Sequence, residues 1–566
     1  MTTICEIRQK MQAKNIDAYI VAHNNRFIGQ DISDDENKIK HLCGFSGSAG
    51  MLAITKDQAF LLVDGRYELQ ARKETNATEI TVIDALPRLK NVCDILSEQQ
   101  NIYTVGYDAW NHSVAEMEFI KRRYINFTFQ DIDNWLNSNN KNNLSIEKRG
   151  VEFSGATAES KIKRICNILN ERNADFFLLT SADSVSWLLN IYSRDLPYSP
   201  IVRAGILVFK DERFCLIGEN LQTDLPVISW SELKNMFSDE NNFRILYDPH
   251  TLPEKIKNML KAKLIKAPDY CQQWKAEKNA TELQGMINCH IRDGVALSKF
   301  LCWLQQNWRG LHETDVVSKL HEFRAAQKYF FSESFATIAG CAKNSAIVHY
   351  QPNTESNAEL EENNLLLIDS GGQYFDGTTD VTRTVALGTP TQEMKADFTM
   401  VLKAHIALAQ AVFPEETSGA KLDILAREKL WQNTLDYKHG TGHGVACFGN
   451  VHEGPVSISP TASDYGFKTN MITSNEPGVY HAEKYGIRIE NLQYTAPIEK
   501  KSTYGNFLQF KYLTKVPIDK HLIDEYLLSA GERAWLNKYH HDVYNDLAPY
   551  LNENEKVWLK DACSPL

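Results

Sequence analysis

Residues 365–383 read LLLIDSGGQYFDGTTDVTR, and the reading of this stretch decides what the chain builds. The apolar run Leu365–Ile368 predicts a buried strand that delivers Asp369 at its end, and Asp380 follows in a Thr-rich run suited to a pairing strand. Gly371, Gly372 and the pair Asp376–Gly377 lie between them and let the chain double back. A hairpin here sets Asp369 beside Asp380. Two carboxylates that close repel and shift each other's pKa unless a cation separates them. Two aspartates at turn mouths are the plainer alternative, so the rest of the chain must decide.

Working outward, the segment after residue 273 opens with a helical pattern over Thr281–Trp303 and a second over Asp315–Ala326, followed by glycine-rich strand-like stretches. The preceding part is read as two α/β segments of the same layout. In the first, Asp17–Ala22 is a strand after a helical stretch, and Met51–Thr55 with Ala59–Asp64 forms a hairpin. In the second, Asn173–Leu179 parallels Asn15–Val21, and Ala204–Phe209 with Phe214–Ile217 repeats the hairpin. The polar run from Asn137 to Asn143 is too poor in apolar residues to pack and closes the first segment. The predicted boundaries are 1–150, 151–272 and 273–566, an α/β (α+β) chain. Its last residues, with Trp535, Leu536, Tyr539, Val543 and Leu547 at helical spacing, form a packing or dimer face.

Composition narrows the class. A chain of 566 residues is too long for one core, and 43% apolar with 23% charged residues is ordinary for a globular protein. A net charge of −11 without a basic block argues against nucleic acid or an anionic membrane as partner. Eleven cysteines without a CxxC pair suit reduced thiols in a cytoplasm. No signal-peptide core opens the sequence and no run of about 18 apolar residues occurs, so a soluble, cytoplasmic protein is expected.

Further residues join the two aspartates. His439-Gly-Thr-Gly-His443 has the histidine spacing of a helical zinc site, but its glycines argue for a strand or loop that offers His443. Glu476 stands at the lip of a turn in SNEPG, and Glu490 shares a strand face with Arg488 in GIRIEN. His349 and His452 lie in IVHY and NVHEGP. Each has a plain alternative: a hydrogen-bonded core histidine for His349, a solvent-exposed loop for His452, a surface ion pair for Glu490 with Arg488, a turn carboxylate for Glu476. Cys447 reads as a packed thiol and Asp376 as a turn residue. Taken jointly, four carboxylates and one imidazole balance two divalent cations, and so oxygen-rich a set suits Mn²⁺, or Zn²⁺ and Co²⁺.

The order of Asp369 and Asp380, HGTGHG, NEPG and GIRIEN resembles the ligand signature of the pita-bread metallopeptidases, and the whole chain resembles the three-domain cytosolic aminopeptidase P (Xaa-Pro aminopeptidase) family. GFSGSAG, WLLNIYSRDLPYSP, AIVHYQP and GTTDVTRT carry that likeness; IYSRDLP departs from the Arg-Gly pair usual after the isoleucine. The resemblance implies two creatinase-like N-terminal domains and a pita-bread catalytic domain. It implies a dinuclear site, Mn²⁺ first, in which Asp369 binds one ion, His443 and Glu476 the other, and Asp380 and Glu490 bridge both. A hydroxide shared by the ions would attack an N-terminal Xaa-Pro bond, with Glu476 as general base. His349 and His452 would hold the carbonyl and assist proton transfer. His439 would border the proline, and Arg488, grouped with the substrate-binding residues, would steady Glu490 from behind. The implied partners are peptides with proline in second place and a second copy of the chain as a homodimer. The alternatives are a prolidase restricted to Xaa-Pro dipeptides and a non-catalytic binding protein of the same fold.

Overall fold

The computed structural model describes residues 3–29, 32–132, 135–136, 143–239, 242–354, 356–500 and 502–566. Of the polar run Asn137–Asn143 expected to close the first segment, residues 137–142 lie outside the described residues. The chain divides into two compact units: residues 1–151, 156–196 and 201–271 in one, and 152–155, 197–200 and 272–566 in the other.

The first unit holds two six-stranded sheets of one design. In the first sheet, Ala18–Ala22 pairs antiparallel with Met51–Thr55, and that strand antiparallel with Ala59–Val63. Three parallel strands, Thr81–Asp84, Thr104–Tyr107 and Thr128–Asp131, complete the sheet. The second sheet repeats this with Phe176–Leu179, Gly205–Phe209 and Phe214–Ile217 antiparallel, and Val227–Ile228, Arg244–Tyr247 and Lys263–Lys266 parallel. The predicted duplication is therefore met strand for strand. Strands Ala18–Ala22, Met51–Thr55 and Ala59–Val63 are buried along their whole length, as expected for strands whose two faces are both covered.

The second unit is built around the helix Ala280–Asn307. It starts where the sequence says it should: Asn279 accepts from the amides of Thr281 and Glu282, and Glu282 returns a bond to the Asn279 amide. The helix Glu313–Ala325 follows. Strand Asn364–Ser370 lies between Ile338–Cys341 and Val381–Leu387, antiparallel to both. A six-stranded sheet runs in the order Val412–Pro414, Phe507–Tyr512, Asn491–Pro497, Ile472–Asn475, Gly442–Gly444, Glu453–Ile458, and Gly478–His481 pairs with Tyr485–Arg488 as a separate ribbon. The helix Ala530–Leu547, followed only by a short turn and the helix Glu553–Ala562, buries Leu536, Tyr539, Val543 and Leu547 in the unit's main core, so these four pack within the chain.

Candidate metal centre

The hairpin predicted from residues 365–383 forms, with an offset. Asp369 faces Thr382, and Ser370 faces Val381, so Asp380 sits one residue before its strand begins and lies diagonal to Asp369, not opposite it. The offset arises because the connection is itself structured: Gly372–Tyr374 and Gly377–Thr378 make a second, smaller hairpin on strand Phe330–Glu333. Asp376 sits at its tip and is also paired with Arg292.

His443 lies in the middle of the strand Gly442–Gly444. Its flanking glycines are required by packing: a Cβ on Gly442 would stand 2.1 Å from the Ser474 carbonyl oxygen, and one on Gly444 2.1 Å from that of Glu453. The neighbouring strands press in from both sides and fix the imidazole between them. Glu476 follows strand Ile472–Asn475, its amide bonded to the Thr441 carbonyl at 2.8 Å. Glu490 does not extend the strand of Arg488 as expected. That strand ends at Arg488, and Glu490 lies in the crossing to Asn491–Pro497, its amide donating to the Thr382 carbonyl.

These elements bring the acids and the imidazole together. Ligand atoms of Asp380, His443 and Glu490 lie within 4.8 Å of one another. His443 Nε2 is 3.4 Å from Asp380 Oδ2 and 3.6 Å from Glu476 Oε1. Its Nδ1 lies 2.9 Å from the Gly444 carbonyl oxygen, which can only accept, so Nδ1 carries a proton and Nε2 is the ring nitrogen that faces the carboxylates. Burial pushes the Asp380 and Glu490 carboxyls well up, and neighbouring carboxylates push them further. Glu476 is also raised by burial, against the pull of His443 and Arg488. Asp369 Oδ1 is buried without a hydrogen-bond partner. An unsatisfied carboxylate oxygen, an imidazole nitrogen turned to the acids and carboxyls that burial holds against their charge are what a divalent cation relieves, so the residues fit metal.

Arg488 was expected behind Glu490, and its direct contact is with Asp369. It is 1% exposed, and its Nη2 donates to Asp369 Oδ2 at 2.6 Å; it reaches Glu490 only through Thr382, which accepts from Arg488 Nε and donates to Glu490 Oε2. It thus holds two acids from behind and does not line an open surface. His439 is placed by Tyr480, whose hydroxyl is 2.8 Å from His439 Nε2 and accepts from Arg488 Nη1 at 2.7 Å. The exposed ring of His452 packs edge-on against His443 with centroids 4.3 Å apart. His349 is half-buried, one residue beyond Val348, whose carbonyl accepts from Arg488 Nη2. Ser474, which donates to Glu476 Oε1 and accepts from the His443 amide, was not singled out from the sequence; nor were Thr382 and Tyr480. Cys447 is buried in an apolar cluster.

Known proteins match this chain along its length. Residues 284–496 match metallopeptidase family M24 and 506–566 the C-terminal region of peptidase M24, while 4–138 and 139–282 each match the creatinase/prolidase N-terminal domain. A probable Xaa-Pro aminopeptidase P of Laccaria bicolor is 32% identical, covering 100% of this chain and 93% of its own. Aminopeptidase P2 of Arabidopsis thaliana is 34% identical over 97% of this chain and 86% of its own. The crystal structure of X-prolyl aminopeptidase from Caenorhabditis elegans, described as a cytosolic enzyme with a di-nuclear active site, superposes with a TM-score of 0.91 at 31% identity, covering 97% of this chain and 95% of that one. The fold and site define a metallopeptidase of family M24, with two creatinase-like α/β domains preceding the pita-bread domain in sequence. Within that family the chain belongs to the Xaa-Pro aminopeptidase P branch, whose members it matches along its whole length.

Proposed function

We propose that the chain removes the N-terminal residue from peptides that carry proline in second place, using two divalent cations held by Asp369, Asp380, His443, Glu476 and Glu490. The observation that carries this reading is the meeting of Asp380, His443 and Glu490 ligand atoms within 4.8 Å in a buried, acid-rich setting. When bound, the ions supply Lewis acidity toward the scissile carbonyl and lower the pKa of water. Oxygen-rich donors favour Mn²⁺, with Zn²⁺ or Co²⁺ as alternatives.

The chain's own groups then divide the work. Glu476, raised by burial and fixed by Ser474, accepts a proton from the attacking water. His349 and His452 hold the carbonyl and return a proton to the departing nitrogen. His439, set by Tyr480, borders the proline ring. An Xaa-Pro bond has no N–H, so recognition must grip the ring itself and not that donor. The three functional segments are taken as 1–150, 151–272 and 273–566. Among the described residues no helix is long and apolar enough to cross a membrane. A cytoplasmic place and a homodimer complete the reading.

Metal-stripped protein assayed with and without Mn²⁺, on tripeptides that differ only in proline or alanine at the second position, tests it. Cleavage that needs both the metal and the proline is expected. Cleavage indifferent to either refutes the proposal, and cleavage confined to dipeptides marks a prolidase.

A further inference from the structure

Glu313 is the first residue of its helix and is fully buried, yet its carboxylate does work far from that helix. Oε1 accepts from the Cys341 amide at 2.7 Å and from Asn344 Nδ2 at 3.0 Å. Oε2 accepts from the Tyr350 hydroxyl at 2.7 Å and the Ala358 amide at 2.9 Å. The Glu313 amide in turn donates to the Ala358 carbonyl. All four donors belong to residues 341–358, the stretch between strands Ile338–Cys341 and Asn364–Ser370 that carries His349.

That stretch has little regular structure to hold it. After the short turn Ala342–Ala346 no strand or helix forms among the described residues before residue 364, and Ala342 sits in the left-handed region at φ 50°. The Tyr350 hydroxyl lies within hydrogen-bond distance of Glu313 Oε2 and of the Ser356 carbonyl oxygen, which compete for its one proton, and it accepts from Asn344 Nδ2. Tyr350 is the residue after His349. A buried anion that gathers neutral donors from both ends of a loop is costly to bury and is stabilised only while all of them stay in place.

We propose that Glu313 is the positioning residue of His349: it ties down the loop on both sides of that imidazole and so fixes where it meets the peptide. This rests on the reading of His349 as a group that touches substrate. Replacing Glu313 by Gln turns one acceptor edge into a donor that faces donors, without changing the volume of the side chain appreciably. The test is a double-mutant cycle of E313Q and H349A. H349A is expected to cost about 100-fold in kcat/KM, E313Q about 30-fold, and the double variant no more than H349A alone. Calorimetric titration should show the same number of Mn²⁺ ions bound by E313Q as by the parent. A structural role alone would make the two losses multiply, and that result, or an E313Q within about twofold of the parent, overturns the inference. A silent H349A sinks the role of His349 and the inference with it, whereas a costly H349A with an independent E313Q sinks the inference alone. Should E313Q fail to fold, Y350F removes a single donor and is expected to lose about fivefold, again only when His349 is present.

Discussion

Strand Asn364–Ser370 ends with two neighbours that belong to opposite kinds of buried charge. Side chains alternate along a strand, so Asp369 faces one side of the sheet and Ser370 the other. On the Ser370 side, fully buried Arg324 bonds Asp293, Glu333 and the Ser370 hydroxyl, and Tyr374 adds a donor to Asp293. Every charge there is answered within the chain. On the Asp369 side, four carboxylates gather, and Arg488 touches Asp369 alone among them directly. Burial of charge is common to both regions; only the second leaves it uncompensated. A functional centre is marked by that shortfall, since the chain keeps it at the expense of its own stability.

The comparison breaks or sharpens under substitution. The largest effect expected is D380N, which should lower peptidase activity by more than about 1,000-fold. In metal-free protein the same change should raise the thermal midpoint, because one of four mutually repelling acids becomes neutral; a fall would erase the contrast. D293N should do the reverse. It leaves Arg324 buried and half-answered, at a cost of about 3–5 kcal/mol by denaturant unfolding, whether or not metal is present.

A third, smaller effect concerns buried groups that settle their charge by losing it. Burial lowers His405 and His540 to about 3 and His290 to about 4. Their unfolded value is near 6.5, so the unfolded chain takes up protons first as pH falls. Their contribution is complete above pH 6.5 and is lost progressively below it. Replacing His540 by Gln should remove about 1.4 kcal/mol per pH unit from the acid slope of stability between pH 6 and pH 4. The smallest effect is Y539F, which takes an acceptor from Arg383 Nη2 and should cost about 1 kcal/mol in a urea midpoint.

Much of this could be read from residue order. The twin sheets of the first unit show because apolar runs and turn residues recur at matching intervals, as in Asn15–Val21 and Asn173–Leu179. The acids and His443 show because glycine and proline isolate them in short motifs. The register of Asp369 against Thr382 was not legible, since it depends on the small hairpin at 372–378 pairing with a strand forty residues upstream. Nor were the partners of Arg488. Besides Tyr480, its side chain bonds Thr382 and Asp369, more than a hundred positions away, and local alternation pointed to Glu490 only because it was near in sequence. Glu313 gave no signal at all, for an acid at the start of a helix is ordinary.

Arg383 gathers the carbonyls of Thr382, Glu490, Val516 and Pro517, and Tyr539 from the last long helix closes the set. Asp369, Asp380, Glu476 and Glu490 are all made earlier in synthesis than that helix. A nascent chain therefore carries these acids, and the Arg383 that holds the Glu490 carbonyl, before it carries the hydroxyl that completes the shell around that guanidinium. Stalled chains of increasing length, tested for peptide cleavage on release, should stay silent until the helix Ala530–Leu547 is included; activity in shorter ones would show that the helix is dispensable.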